Sequence, residues 1–237
     1  MKTLQGKKAL VLGGSRGIGA AIVKRLARDG AEVIFTYQSS KEAAKKLASE
    51  VGALAVQADS GDRETVSTVI ADLGALDILV INAGIGVFKN PLEADPQEVD
   101  RLIDINVRGP YHAAVDAARK MNQGGRIVVI GSVNGDRMPF QGGAAYALSK
   151  SALQGMVRGL ARDFGPRGIT VNNVQPGPVD TDLNPADGPL KDMMHSLMAI
   201  KRHATTDEVA GMVAYLVGPE AAMVTGAQHT IDGGFGA

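Results

Sequence analysis

Short apolar runs recur along this chain, separated by longer stretches in which apolar positions return every three or four residues. The runs near 8–12, 31–36, 53–57, 76–81, 125–130, 168–174 and 228–231 predict strands. The stretches near 17–29, 40–51, 61–73, 96–121, 145–164, 189–200 and 206–217 predict amphipathic helices. Several runs, such as Ala9-Leu-Val-Leu12 and Ile127-Val-Val-Ile130, are apolar at every position rather than at alternate ones. Strands of that kind are buried on both faces. Strand–helix alternation to the end of the chain implies a parallel sheet with helices on both sides, an α/β doubly wound domain of seven strands. No repeat, low-complexity tract or linker divides residues 1–237, so a single domain is expected. The regularity breaks only at 176–203, which carries Pro176, Pro178, Pro185 and Pro189 and then Met193-Met-His-Ser-Leu-Met198. An excursion of that length, about 182–203, reads as a lid over a site, although each methionine can equally be packing material.

Composition narrows the chemistry. Lysine and arginine number 25 against 25 acids, so nothing in the charge balance favours a nucleic acid polymer or an anionic membrane. There is no cysteine, which excludes disulfides, thiolate catalysis and cysteine-ligated zinc. His112, His195, His203 and His229 show no metal-ligand spacing. No apolar run is long enough to span a bilayer, and no signal peptide is read ahead of the first strand, so a cytoplasmic protein is expected.

Two motifs carry the candidate function. After the first strand comes Gly13-Gly-Ser-Arg-Gly-Ile-Gly19, then a helical pattern from Ala20. This is the strand–glycine loop–helix context of a dinucleotide-binding fingerprint. Gly13 permits the tight turn, Gly17 lets backbone approach a pyrophosphate, and Gly19 lets the helix lie against the sheet. The helix amino terminus offers unpaired N–H groups to the phosphates, with Ser15, Arg16 and Ile18 in the same loop. The second motif is Tyr146-Ala-Leu-Ser-Lys150, whose spacing stacks phenol and ammonium on one helix face. A lysine there favours the phenolate and draws the tyrosine pKa down from about 10. In isolation such a spacing more often marks a solvated helix pair. Ser132 follows a predicted strand and Gly131, so it falls at the carboxyl end of the sheet, where it can hold a substrate oxygen. Asn106 lies inside the predicted helix 96–121, four residues before Pro110. Proline has no N–H for the Asn106 carbonyl, so a kink is expected there, whether structural or serving a proton path.

Together with Asn82-Ala-Gly84, Pro176-Gly177 and Asp232-Gly-Gly234, these motifs resemble the short-chain dehydrogenase/reductase family over essentially the whole chain. The resemblance implies a Rossmann-type fold, a homotetramer built on the helices 96–121 and 145–164, and a small carbonyl or alcohol substrate. It implies a catalytic set of Asn106, Ser132, Tyr146 and Lys150, with Lys150 also on the nicotinamide ribose. It places Asp59 and Ser60 at the adenine, Asn82, Ala83 and Gly84 beneath its ribose, and Pro176, Gly177, Val179 and Thr181 toward the nicotinamide. Where an NAD site would carry an acid, the second strand ends Thr36-Tyr37-Gln38. Ser39, Ser40 and Lys41 follow at a helix start, and with Arg16 they suit an additional phosphate, so NADP(H) is the expected cofactor. Solvent exposure is the alternative for Arg16 and Lys41. Two positions depart from the family pattern: Leu12 replaces a threonine and Ile81 an asparagine, so hydrogen bonds at both strand ends must be made differently. Segments 132–139, 151–166 and 195–203 carry a narrower resemblance within the family. It implies a second ligand, cyclic-di-GMP, whose sequestration would favour biofilm dispersal.

Overall fold

The computed structural model describes residues 3–237. Met1 and Lys2, where the reading of the amino terminus began, lie outside the described residues. In chain order the elements are β1 (Lys8–Leu12), α1 (Gly17–Arg28), β2 (Glu32–Tyr37), α2 (Lys41–Val51), β3 (Leu54–Gln57), α3 (Arg63–Asp72) and β4 (Leu76–Ile81). Then come α4 (Pro96–Ile103), α5 (Gly109–Lys120), β5 (Met121–Ile130), α6 (Ala144–Phe164), β6 (Thr170–Pro176), α7 (Lys191–Leu197), α8 (Thr206–Val217) and β7 (Gln228–Ile231).

The seven strands form one sheet in the order β3-β2-β1-β4-β5-β6-β7. Every pairing is parallel; Leu10, for example, sits between Ile34 of β2 and Leu79 of β4. The order reverses between β1 and β4, and the connections diverge there, opening a crevice at the carboxyl ends of the strands. The continuous apolar runs follow from the pleat. Ala9 and Val11 face one way, into a cluster with Ile22 and Leu26 of α1 and Val213 of α8. Leu10 and Leu12 face the other way, into a cluster with Ala114 of α5 and Leu153 and Val157 of α6. Both sides of the pleat are core, which is why residues 9–12 of β1 and 78–81 of β4 are apolar on both faces.

Three elements depart from the pattern-based expectation by more than two residues at one end. The helix expected over 96–121 is two helices joined by a π-turn, Asp104–Arg108, in which the Gly109 N–H donates to the Asp104 carbonyl. The break centres on Asn106, as the missing N–H of Pro110 requires. β5 starts at Met121 rather than 125, and its register slips from Leu76↔Met121 to Ile78↔Arg126. The extra residues bulge out through Gly124, whose φ is 76°. Helix 189–200 contracts to α7, after which Met198 turns extended and is buried. α8, by contrast, begins where its signals stand: Thr205 and Glu208 form a reciprocal capping box, and Arg202 pairs with the Glu208 carboxylate at 2.6 Å.

Candidate active site

The site begins at the turn after β1. Gly13 has φ 78°, and a side chain on it would put its Cβ 2.9 Å from the Ala83 backbone. At Gly19 a Cβ would lie 2.0 Å from the Gly13 carbonyl oxygen, so only glycine lets α1 start against this turn. The two apolar departures at the strand ends are compensated from β2 and from the loop after β4. The Gly13 N–H donates to Thr36 Oγ1 at 3.0 Å, and Asn82 Nδ2 donates to the Gly13 carbonyl at 2.7 Å. The N–H groups of Asn82 and Ala83 both reach the Leu12 carbonyl. The turn is therefore stitched to both neighbouring strands without a side-chain hydroxyl at position 12.

A cleft of about 920 Å³ opens over this turn and runs along the carboxyl ends of the strands. From the glycine turn it is lined by Gly13, Ser15, Arg16, Gly17 and Ile18. The ends of β2 and β3 supply Tyr37, Ser39, Ser40, Asp59 and Ser60, and the end of β4 supplies Asn82, Ala83 and Gly84. Past β5 and β6 come Ser132, Tyr146, Lys150 and then Pro176, Gly177, Val179 and Thr181. Gly19 and Lys41 do not line it: Gly19 is packed beneath the turn, and Lys41 is exposed on the first turn of α2. At the position where an acid would meet ribose hydroxyls stands Gln38, which donates to Asp59 Oδ2 at 3.0 Å. Asp59 is also paired with Arg101 at 2.5 Å and accepts from the Gly61 N–H. These hydrogen bonds and the Arg101 charge outweigh the burial that opposes them and hold its carboxyl below the ordinary range. Arg16 is exposed and makes no ion pair among the described residues.

The second half of the site sits at β5 and α6. Lys150 is 6% exposed, and its Nζ donates to the Ile130 carbonyl at 3.0 Å. Burial without a counter-charge lowers it to about 8. Its Nζ stands 5.8 Å from the centre of the Tyr146 ring, the stacking expected from the spacing. The effect on the phenol differs from expectation: burial raises Tyr146 above its ordinary value, and the Ser132 hydroxyl pulls the other way. Desolvation of the phenolate wins over any help from a lysine that is itself only half charged near pH 8. Asn106 is 1% exposed and lies behind the cleft. Its Oδ1 accepts from the Ile85 N–H at 2.9 Å, and its Nδ2 donates to the Ile85 carbonyl and to Ser149 Oγ. A Cβ on Gly84 would come within 3.3 Å of Asn106 Oδ1 and 3.4 Å of Lys150 Nζ, so both side chains approach the same face of Gly84. The π-turn is what aims the Asn106 side chain at that turn.

Several residues of the cleft gave no sequence signal. Phe88, Phe140 and Phe235 line the end beyond Tyr146. The Phe88 ring centre is 5.0 Å from that of Tyr146 and 6.1 Å from that of Phe140. All three lie in loops, where no periodicity marks them. The available clue was that a chain with five phenylalanines places three of them outside any apolar run. Gln175, fully buried on β6 and outside the cleft lining, lies one residue past the strand read at 168–174. His195 and His203, apart in sequence, meet at 2.9 Å between ring nitrogens. Among the described residues there is no group of three metal-ligating side chains, and no helix is long and apolar enough to cross a membrane.

Comparison with known proteins agrees with this geometry. A family model described as enoyl-(acyl carrier protein) reductase matches residues 13–236. The chain is 68% identical, over the full length of both, to the cyclic-di-GMP-binding biofilm dispersal mediator protein of Escherichia coli K12. It is 36% identical to versicolorin reductase 1 of Aspergillus parasiticus, covering 98% of this chain and 97% of that one. Among solved structures, BdcA in complex with NADPH superposes with a TM-score of 0.98 at 68% identity, covering 99% of this chain and 96% of that one. A short chain dehydrogenase from Burkholderia cenocepacia in complex with NADP gives 0.98 at 48% identity, covering 99% of this chain and all of the other.

Proposed function

This chain belongs to the short-chain dehydrogenase/reductase family, and from that premise we propose that it is an NADP(H)-dependent carbonyl reductase. The observation that carries the reading is the convergence of Ser132, Tyr146 and Lys150 on one cleft that begins at a glycine turn. The residues present fit the cofactor. The turn at Gly13 and Gly17 has positive φ and leaves backbone N–H groups at the start of α1 for a pyrophosphate. Gln38 presents no negative charge to a ribose phosphate, and the free guanidinium of Arg16 suits one. Lys150 would hold the nicotinamide ribose, Asp59 and Ser60 the adenine, and Val179 and Thr181 the nicotinamide side. The reduced nicotinamide, when bound, supplies the hydride.

The chain's own part is to position the substrate and move the proton. Ser132 donates a hydrogen bond to the substrate carbonyl oxygen and polarises it. Tyr146 gives its phenolic proton to that oxygen as negative charge develops there. The raised phenol pKa suits this direction, because it keeps the proton on Tyr146 until the oxygen needs it. Lys150 stabilises the phenolate left behind, and its buried amine is poised to change charge near pH 8. Asn106, fixed by Ile85 and Ser149, would complete a path returning protons from solvent. The excursion 182–203 would cover the substrate. The exposed side chains of Tyr111 and Leu148 on α5 and α6 suit the tetramer interface, and a cytoplasmic location fits the composition. The test is NADPH oxidation monitored over a panel of carbonyl compounds. Saturable, carbonyl-dependent consumption is expected, and its absence across the panel defeats the reading.

A second reading rests on the 68% identity to a protein named for binding cyclic-di-GMP. If this chain binds it and thereby lowers its free level, the glycine turn and Arg16 are the natural phosphate cradle, so the ligand would compete with NADPH. Calorimetry should then show a cyclic-di-GMP dissociation constant that rises in proportion to NADPH concentration. An unchanged constant would place it outside the cofactor cleft, and no heat in either case would remove this reading.

A further inference from the structure

We infer that the substrate is an uncharged carbonyl compound with a flat, apolar and preferably aromatic body, and that the site rejects carboxylates and phosphate esters. The inference rests on the reductase reading above. Its evidence is the makeup of the cleft beyond Tyr146. Only five phenylalanines occur in the chain, and three of them, Phe88, Phe140 and Phe235, line this end. Phe88 packs tilted on the ring of Tyr146 itself, the residue that faces the reacting oxygen. Leu183, Leu190 and Met193 also line the cleft. Phe88 is 53% exposed and Leu183 82% exposed. Apolar side chains gathered around a cleft and left open to water mark a surface that an apolar ligand completes. Tilted and offset rings at this spacing favour a further aromatic ring over an aliphatic chain.

Charge decides the rest. Four charged side chains line the whole cleft: Arg16, Asp59, Lys150 and Asp182. Arg16 and Asp59 stand at the glycine-turn end, and Asp59 is already paired with Arg101. The Lys150 amine is buried behind Tyr146 and bonded to the Ile130 carbonyl. The remaining charge, Asp182 beside Leu183, is a carboxylate and repels anions. Two cations near this end are engaged, Lys89 with Glu98 at 2.6 Å and Arg137 with backbone oxygens of Phe235 and Ala237, and exposed Lys191 of α7 does not line the cleft. A substrate carboxylate would therefore lose its hydration in an apolar pocket with no counter-ion. A thioester of a phosphorylated carrier would meet the same obstacle if its phosphates entered the cleft.

The experiment compares matched pairs: an aryl methyl ketone against its ring-carboxylated counterpart, and a neutral aliphatic ketone against a keto acid, all with NADPH. The neutral member of each pair should have a kcat/KM at least about tenfold higher, and the aryl ketone should exceed the aliphatic one. Phe88→Ala should raise the aryl ketone KM by about tenfold, Phe88→Leu by less, with NADPH binding unchanged in both. Asp182→Asn should narrow the gap between neutral and carboxylated substrates. Equal or better turnover of the anionic members, or an unchanged KM in Phe88→Ala, overturns the inference while leaving a reductase. No NADPH consumption with any carbonyl, charged or neutral, overturns the reductase reading itself.

Discussion

Gln175 Nε2 donates to the carbonyl of Ser132 at 3.2 Å and to Asp136 Oδ2 at 2.8 Å, tying β6 to the loop that carries the serine. The same loop is held to α6 by Gln154, which donates to Asp136 Oδ1 at 2.6 Å, and by Ser151, which donates to the Gly135 carbonyl. Ser132 is therefore positioned by a polar clamp that includes a glutamine with no access to solvent. Gln175→Leu keeps most of the volume and removes both donated bonds. If their loss removes about 1–2 kcal/mol from positioning in the transition state, kcat should fall by about five- to thirtyfold. The NADPH dissociation constant should stay constant, which separates loss of positioning from general unfolding. An unaltered kcat would show that the clamp is purely structural.

Tyr146→Phe removes the hydroxyl that we propose donates the proton and keeps the ring that packs on Phe88. Turnover should drop by about two to four orders of magnitude, with cofactor binding intact by fluorescence titration. A rate near that of the parent would reassign the acid.

Arg16 lines the cleft and Lys41 does not, although the two looked equivalent in sequence. Arg16→Ala should weaken NADPH by about 10- to 100-fold and NADH hardly at all, the loss of one charge-assisted contact to the extra phosphate. Lys41→Ala should have a much smaller effect. Isothermal titration of both cofactors on both variants decides it, and comparable losses for NADH and NADPH would refute the phosphate assignment.

Lys150 is lowered by burial from 10.5 to about 8, so between those values the unfolded chain binds a proton that the folded chain does not. Stability rises with pH in that window, and below it the full cost of the buried charge is present. Lys150→Met has no such group. Measured by urea unfolding of the cofactor-free proteins, wild type should gain about 1–3 kcal/mol relative to Lys150→Met as pH rises across the window. A flat difference would mean that the amine remains charged in the fold.

His195 on α7 and His203 at its far base share a 2.9 Å ring-nitrogen contact that requires at least one neutral ring. Burial, and then the neighbouring His195, lower His203 below its ordinary 6.5; Asp180 opposes this and Lys191 adds to it. The stabilisation is present above 6.5 and is lost as pH falls, because the unfolded imidazole takes up a proton that the folded one resists. Hydrogen exchange over 191–203, corrected for intrinsic rates, should accelerate between about pH 8 and about pH 5. The acceleration should be blunted in His203→Gln, and equal pH dependence in the two proteins would exclude the contact as its cause.

Much of the molecule follows from local rules that a linear chain can display. Continuous apolar runs such as Ala9–Leu12 dictate strands buried on both sides, because a central strand pleats into two cores at once. The glycines at 13 and 19 are legible because no Cβ fits there, Gly17 because its φ is positive, and Tyr146 and Lys150 because helix geometry alone stacks them. Pro110 foretold a break at Asn106, since the missing N–H is a covalent fact. What tertiary structure alone decided was who meets whom across long separations. Gln175 reached Ser132 only through the β5–β6 register, and Phe88, Phe140 and Phe235 became one wall because three unrelated loops end above the same crevice. The charge states were decided there too. Spacing put an ammonium beside a phenol and favoured its ionisation, but the depth of the pocket, which no spacing encodes, raised the phenol and lowered the amine.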